Sequence, residues 1–207
     1  MRINERSLTS YFIVKRLIDI SMSIIMIFFC MPLFVLVSVF VLVTMGKPVI
    51  FRQQRPGYRG RSFTLYKFRS MAQSLTVNGA PLPDKERLTP LGSFLRRTSF
   101  DELPELLNVV KGDMSLVGPR PLLLEYLARY SPEQARRHQV RPGITGWAQV
   151  NGRNAITWED KFAFDVWYVD HPSVLLDIRI MCLTFVKVIS RSGICQPGFA
   201  TAEEFKP

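Results

Sequence analysis

The stretch ISMSIIMIFFCMPLFVLVSVFVLVTMG, Ile20 through Gly46, holds 27 consecutive residues without one ionisable side chain. That is more than a buried core helix needs and enough to meet the roughly 20 apolar residues that a hydrocarbon layer requires. An ordinary secretory leader is excluded, because the segment is too long, lacks a small-residue cleavage site and runs straight into the rest of the chain. Membrane insertion follows. Lys15 and Arg16 precede the segment, while Lys47, Arg52, Arg55, Arg59, Arg61, Lys67 and Arg69 follow it within 23 residues that contain no acid. A single straight span would leave one basic flank on the outer face, against the charge bias of short flanks. Pro32, near the centre, removes a helix hydrogen bond and favours a kink. Together these features predict a re-entrant helix that bends around Met31-Pro32 and returns, both ends in the cytoplasm. Asp19, the one acid at the membrane edge, pairs with Lys15 or Arg16 in this reading, or is simply solvated.

The chain of 207 residues suffices for one domain with a proper core and not for two comfortable ones. Residues 1–47 read as the membrane-associated part and 48–207 as a cytoplasmic domain. Net charge is +10, from 27 Lys and Arg against 17 Asp and Glu. Such an excess meets nucleic acid, anionic lipid or a phosphorylated substrate, and its place directly after the apolar segment favours the last two. Cys30, Cys182 and Cys195 are too few and too scattered for a disulfide framework or a zinc site, and His138 and His171 alone exclude a His-rich metal centre.

The domain reads as mixed α/β and predominantly helical. Val49 to Phe51 and Ser62 to Phe68 are short strands joined by a loop carrying Pro56-Gly57 and Arg59-Gly60. Residues 72–90 are polar and rich in Pro and Gly, a surface loop. Leu91 to Arg97 forms a short helix. A second runs from about Phe100 to Val110, with Leu103, Leu106, Leu107 and Val110 on one apolar face, and Lys111-Gly112-Asp113 ends it. Leu122 to Tyr130 is a further short helix, Pro132 starts the next, and residues 141–146 are irregular. Trp158 to Tyr168 mixes aromatic and charged residues as an amphipathic helix resting on protein or on the membrane interface. The apolar segment 174–189 carries Asp177, Arg179 and Lys187 and is short for a span, so it reads as a core or interfacial helix.

Asp101-Glu102 is the most suggestive chemical pair. Arg96 and Arg97 precede it and the rigid Gly118-Pro119-Arg120-Pro121 follows, so a carboxylate here can sit among cations that neutralise phosphate oxygens, as phosphoryl transfer requires. A purely structural reading competes: Ser99 to Glu102 also fits a capping box, and Asp101 could itself be a helix cap. Lys67 and Arg69 alternate about Phe68 and can share one phosphate-facing side or one solvated side of a strand. Arg141 is a loop cation able to meet a nucleotide phosphate. His138 reads as a packing or surface residue, and Trp147 and Trp158 either stack a base or pack.

The segments Tyr66 to Met71, Leu91 to Pro104, Asn108 to Pro121 and Val140 to Asn154 make the chain resemble the bacterial sugar transferases, the monotopic polyprenyl-phosphate phosphoglycosyl transferases, over essentially its full length. Several long motifs in the family's order are a specific match. The apolar segment with Pro32 also resembles the family's helix-break-helix, with Met31 standing where some members carry serine. The resemblance implies magnesium and a nucleoside diphosphate sugar, usually a UDP-sugar. Asp101 matches the nucleophile, which would take the sugar phosphate and expel UMP before the phosphate of undecaprenol or another polyprenol attacks the intermediate. Glu102 matches the second acid, binding magnesium with Asp101 or orienting it. Lys67, Arg96 and Arg120 match basic positions near the phosphates, and Arg141 a further substrate contact.

Such an enzyme belongs on the cytoplasmic face of a bacterial inner membrane, feeding downstream glycosyltransferases. No further spans are expected beside the first segment. The compact form and the stretch Asn151 to Trp158 resemble the small enzymes that start glycoprotein glycans with di-N-acetylbacillosamine phosphate. Transfer of N-acetylated hexose, galactose or glucose phosphate into capsule, exopolysaccharide or O-antigen fits as well. The alternative is a non-catalytic membrane adaptor that captures phosphorylated ligands through its arginines. A nucleic-acid role is disfavoured by the membrane segment and the lack of a recognised motif.

Overall fold

The apolar segment folds as one helix, α1 (Glu5–Met45), 41 residues long and continuous through Pro32. The break expected at that proline does not interrupt it. At 1.5 Å per residue the helix measures about 60 Å, long and apolar enough to cross a membrane. Phe28, Phe29 and Val43 are more than 70% exposed (72%, 75% and 78%), a face that water does not tolerate at this extent and lipid does. The computed structural model describes residues 5–72, 76–77, 80–81, 87–152, 156–190 and 205. Arg153 and Asn154 of the fourth motif, Cys195, and residues 73–75, 78–79 and 82–86 of the polar loop lie outside the described residues.

Both ends of α1 are tied to the globular part. At the front, Lys15 Nζ pairs with Asp177 at 2.9 Å, Arg16 donates to the carbonyls of Val109 and Val110 at 2.6 and 2.9 Å, and Asp19 accepts from the Leu116 N–H at 3.0 Å. The partner of Asp19 is therefore a backbone amide, not the neighbouring Lys15 or Arg16, because Lys15 is drawn to a carboxylate on the last helix. At the rear, Val37 and Val41 pack on Phe68 and Leu95, and Arg69 donates to the carbonyls of Met45 and Lys47. Those donors satisfy carbonyls that a helix C-terminus leaves open.

The two short strands expected here pair as an antiparallel hairpin, β1 (Ile50–Pro56) with β2 (Ser62–Phe68), Ile50 opposite Phe68 and Pro56 opposite Ser62, and β1 runs on through residues expected in the loop. The polar loop contains a second small pair, β3 (Thr76–Val77) and β4 (Ala80–Pro81). Helix α2 (Pro90–Thr98) starts as its sequence dictates: Thr89 accepts from the Gly92 N–H at 3.0 Å and Pro90 opens the first turn. The helix expected from Phe100 to Val110 is divided. A 3-10 turn covers Phe100–Glu102 and α3 covers Glu105–Lys111, ended by Gly112 at φ +95°. The turn at Leu103-Pro104 resets the helical phase, so Val109 is buried and Leu107 is half exposed, reversing the expected face at those two positions. Asn108, fully buried, bonds the edge of β2: its Nδ2 donates to Thr64 O at 2.7 Å and its Oδ1 accepts from Tyr66 N at 3.1 Å.

Residues 141–146 are not irregular throughout. Gly143–Thr145 (β6) pairs in parallel with Ser115–Val117 (β5). The approach is too close for side chains, since a Cβ on Gly143 would lie 2.1 Å from Gly118 N. The two glycine-containing motifs thus cross backbone to backbone. Between β5 and β6 the short helix expected at Leu122 to Tyr130 forms as a 3-10 helix at Leu124–Arg129, followed by α4 (Pro132–Ala135) with Ser131 and Gln134 in a capping box. Helices α5 (Trp147–Asn151), α6 (Trp158–Asp170) and α7 (Val174–Ser190) complete the fold. The principal core joins Phe63 and Leu65 of β2, Leu106 and Val109 of α3, Val117 of β5 and Ile180 of α7.

Candidate active site

Three elements converge beside the hairpin. The 3-10 turn presents Asp101 and Glu102, α3 begins with Glu105, and β2 sends Lys67 between them. Lys67 Nζ lies 3.1 Å from Glu102 Oε1 and 3.0 Å from Glu105 Oε1. Arg120, just beyond β5, grips Glu102 with both terminal nitrogens and also donates to Ile144 O at 3.1 Å. Arg96, on the last turn of α2, donates its Nε to Ser70 Oγ at 3.0 Å and supports the charge of Asp101 from that side. Lys67, Arg96, Asp101, Glu102 and Arg120 are therefore brought together. The competing cap reading is not realised: Ser99 sits at φ +57° and makes no side-chain cap, Asp101 caps no helix, and Glu102 turns to cations.

The two adjacent carboxylates have opposite electrostatics. Burial raises Asp101 above the usual carboxylate range, and the charge of Glu102 adds to the effect against Lys67, Arg120 and Arg96. Burial acts on Glu102 too, but Arg120 and Lys67 overcome it and hold that carboxyl down at about 2. The same contacts raise Arg120, where Glu102 is the chief cause. Burial works to lower Lys67, yet Glu102 and Glu105 raise it. Glu105, almost fully buried, is itself raised by burial. Sequence reasoning missed Glu105, although its i+3 spacing from Glu102 would have placed both near one cation.

Arg120 has support behind it. Arg137 Nη2 donates to the Arg120 carbonyl at 2.7 Å, and its Nε and Nη2 hold Asp165 Oδ2 at 3.0 and 2.7 Å. Both members of that ion pair are about 2% exposed. Other predicted residues lie elsewhere. Arg141 donates to Gly112 O at 2.9 Å, away from the carboxylate group. Arg69 is engaged at the end of α1, where it donates to the carbonyls of Met45 and Lys47. His138 is a packing residue, pushed down to about 4 by burial and then by Arg137, with Nδ1 3.3 Å from Gly57 O. Trp147 stacks on Trp167, and Trp158 on Phe162.

A model of the family described as bacterial sugar transferase matches residues 10–191. The chain belongs to this family. It is 54% identical over 194 residues to the uncharacterized sugar transferase EpsL of Bacillus subtilis (strain 168), covering 93% of this chain and 96% of that one. It is 42% identical over 195 residues to the UDP-glucose:undecaprenyl-phosphate glucose-1-phosphate transferase of Xanthomonas campestris pv. campestris, covering 88% and 40%. Identity to the undecaprenyl-phosphate galactose phosphotransferase of Salmonella typhimurium (strain LT2) is 39% over 197 residues, covering 86% and 41%. The sugar transferase described here thus spans about two-fifths of those two longer relatives.

Magnesium, expected from the resemblance, can be weighed against this donor set. Among the described residues no group of three or more His, Cys, Asp or Glu side chains is placed to hold a metal ion. Magnesium does not need such a cage, because it binds through one or two carboxylates with waters and substrate phosphates. Asp101, a carboxylate raised by burial and by its neighbour Glu102, fits that role, while the Glu102 oxygens already face Arg120 and Lys67.

Proposed function

We propose that this sugar transferase moves a sugar 1-phosphate from a UDP-sugar to undecaprenyl phosphate or a related polyprenyl phosphate. The observation that carries the reading is a buried carboxylate, Asp101, set beside Arg96, Lys67 and Arg120 at the rim of a membrane-inserted protein. An Asp101 carboxylate oxygen attacks the phosphorus that bears the sugar, and the bond to the UMP oxygen breaks, UMP leaving with the electron pair. A phosphate oxygen of the lipid then attacks the same phosphorus and restores the carboxylate, giving polyprenyl-diphospho-sugar. An anion must approach an anionic diphosphate in both steps, so fixed cations lower the barrier by offsetting repulsion. Magnesium, held by Asp101 with Glu102 adjacent, would neutralise diphosphate charge. Glu102 keeps Arg120 and Lys67 in place, and Arg96 approaches Asp101 from α2.

The attachment of both ends of α1 to one globular body supports placing both ends and the site on the cytoplasmic face, although α1 itself runs unbroken through Pro32. Cysteines introduced before Lys15 and after Lys47 should then label from the same side, and labelling from opposite sides would refute the re-entrant helix.

The deciding assay is UMP release by detergent-purified protein with magnesium and undecaprenyl phosphate against a panel of UDP-sugars, glucose, galactose, N-acetylated hexoses and di-N-acetylbacillosamine among them. Lipid-dependent release with one sugar supports the reading and identifies the donor. Asp101→Asn should abolish release and covalent labelling while the protein stays folded; full activity in that variant removes Asp101 as nucleophile. Binding of nucleotide sugar without any release would leave the adaptor.

A further inference from the structure

Arg55 is a cation near this site that neither the motifs nor the reaction has used. The register of the hairpin pairs Arg55 with Phe63, Gln53 with Leu65 and Phe51 with Lys67. Residues two apart on a strand share a face, so Arg55 stands on the same face of the sheet as Lys67. Its Nη2 is fixed by Gln53 Oε1 at 2.7 Å. Its Nε is buried and, among the described residues, has no hydrogen-bond acceptor. Pro56, the next residue, lies close against Pro119, Arg120 and Pro121. Burial first, and the like charge of Arg120 second, depress Arg55, against a smaller pull from Glu105. An arginine keeps its proton under such pressure, so two guanidinium groups face one neighbourhood whose carboxylates already have partners, Glu102 on Arg120 and Lys67 and Glu105 on Lys67. Like charges held together where burial limits solvent screening are what an anion relieves.

The position along the strand tells which anion. Lys67 lies opposite Phe51, close to where the chain leaves α1, whereas Arg55 is four residues further along β1, about 13 Å at strand spacing. In the transfer reaction proposed above, lipid phosphate would approach from the α1 end. The nucleotide arrives from water.

We propose that Arg55, with Arg120, binds the nucleotide-side phosphate of the donor diphosphate, the one that departs as UMP; this role rests on the transfer reaction proposed above. Arg55 offers its Nε–H to a phosphate oxygen while Gln53 holds the other edge of the guanidinium. It adds charge where negative charge grows as the phosphorus–oxygen bond breaks.

Arg55→Gln and Arg55→Lys test this in the full-length protein in detergent. Three quantities are read: KM for the UDP-sugar, KM for undecaprenyl phosphate, and the Kd of UDP by calorimetry with no turnover required. Arg55→Gln should raise the donor KM and the UDP Kd by about ten- to a hundredfold, the worth of one or two charge-assisted hydrogen bonds, and leave the lipid KM within about twofold. Arg55→Lys keeps the charge without the Nε donor and should lose about tenfold, which carries the test if the glutamine variant does not fold. A raised lipid KM with unchanged UDP affinity overturns the assignment in favour of the lipid phosphate, and no change in either overturns it altogether. If the wild-type protein releases no UMP from any donor yet loses UDP affinity on Arg55→Gln, the transfer reaction falls and the nucleotide contact stands.

Discussion

Gly92→Ala should loosen the fold and disable the site through one contact. Helix α2 crosses the chain at Ser70 so closely that a Cβ on Gly92 would lie 1.7 Å from Ser70 O and 2.6 Å from its carbonyl carbon. Cβ contacts shorter than 3.0 Å essentially do not occur, so α2 must retreat by at least about 1.3 Å, and the obstacle is backbone that cannot rotate aside. Forced shifts of this kind cost about 1–3 kcal/mol. For a chain of this size that lowers Tm by about 2–4 °C per kcal/mol. The functional loss should be larger, because Arg96 rides on the same helix and bonds Ser70 through Nε. Misplacement of a site group by about 1 Å can cost about a hundredfold in rate. The assays are thermal unfolding in detergent and lipid-dependent UMP release for Gly92→Ala, Arg96→Ala and the double variant. If the glycine acts through Arg96, the double variant should be little worse in rate than Arg96→Ala alone. Unchanged Tm and turnover in Gly92→Ala would refute the steric reasoning, and fully multiplicative rate losses would refute the route through Arg96.

Three further outcomes are expected. His138 in the folded protein takes a proton only near pH 4, against about 6.5 when unfolded. Between those values the unfolded state binds more protons, so stability falls as pH is lowered through that window. The loss should reach about 2 kcal/mol after allowance for partial exposure, and urea midpoints from pH 4 to 7.5 should show it flattened in His138→Gln; an identical slope would dispose of the assignment. Asp177→Asn strips the charge that faces Lys15, with Tyr11 and Tyr168 bonded to the same carboxylate at 2.9 and 2.6 Å. An uncompensated buried ammonium costs about 3–5 kcal/mol, so α7 should become protease-sensitive, and Lys15→Met combined with Asp177→Leu should be less damaging than Asp177→Asn alone. Asp165→Asn leaves Arg137 facing an amide behind Arg120. Turnover should fall by more than the Tm shift accounts for, and a variant that is destabilised but normal per folded molecule would mean that Arg137 does not position Arg120.

The hairpin, α2, α6 and α7 were legible because each carries a local signal: alternation in β2, Thr89-Pro90 ahead of α2, Thr157 ahead of α6. The pairing of β5 with β6 was not. Strands of three residues show no alternation, and their only trace is a glycine in each motif, at 118 and 143, which reads as a turn until the partner is known. The phase of α3 failed for a similar reason: Leu103-Pro104 inserts a turn, and a pattern counted through it assigns Leu107 inward and overlooks Val109. The Lys15–Asp177 and Arg137–Asp165 pairs join residues 162 and 28 positions apart, where no periodicity reaches. Within the site, the contiguous Asp101-Glu102 and the rigid Pro119-Arg120-Pro121 were visible, while Glu105 was hidden by its place in an apparently ordinary helix start.

Two neighbouring acids would be redundant if their surroundings were alike, and the 3-10 turn ensures that they are not. Ser99, in the left-handed region, turns the chain out of α2, and Pro104 prevents the next helix from beginning early. Asp101 and Glu102 consequently face different neighbours. Glu102 reaches Arg120 and Lys67 and stays ionised at any physiological pH, an anion whose work is to hold two cations at fixed positions. Asp101 is raised by burial and by the charge of Glu102, a cost to its ionised form that a cation or the reaction itself can relieve. A carboxylate already saturated by arginine is a poor nucleophile, whereas one that is desolvated and incompletely paired retains its reactivity. The opposite shifts of the two acids are thus the physical reason why, in the proposed reaction, bond formation is placed on Asp101 and the holding of Arg120 and Lys67 on Glu102.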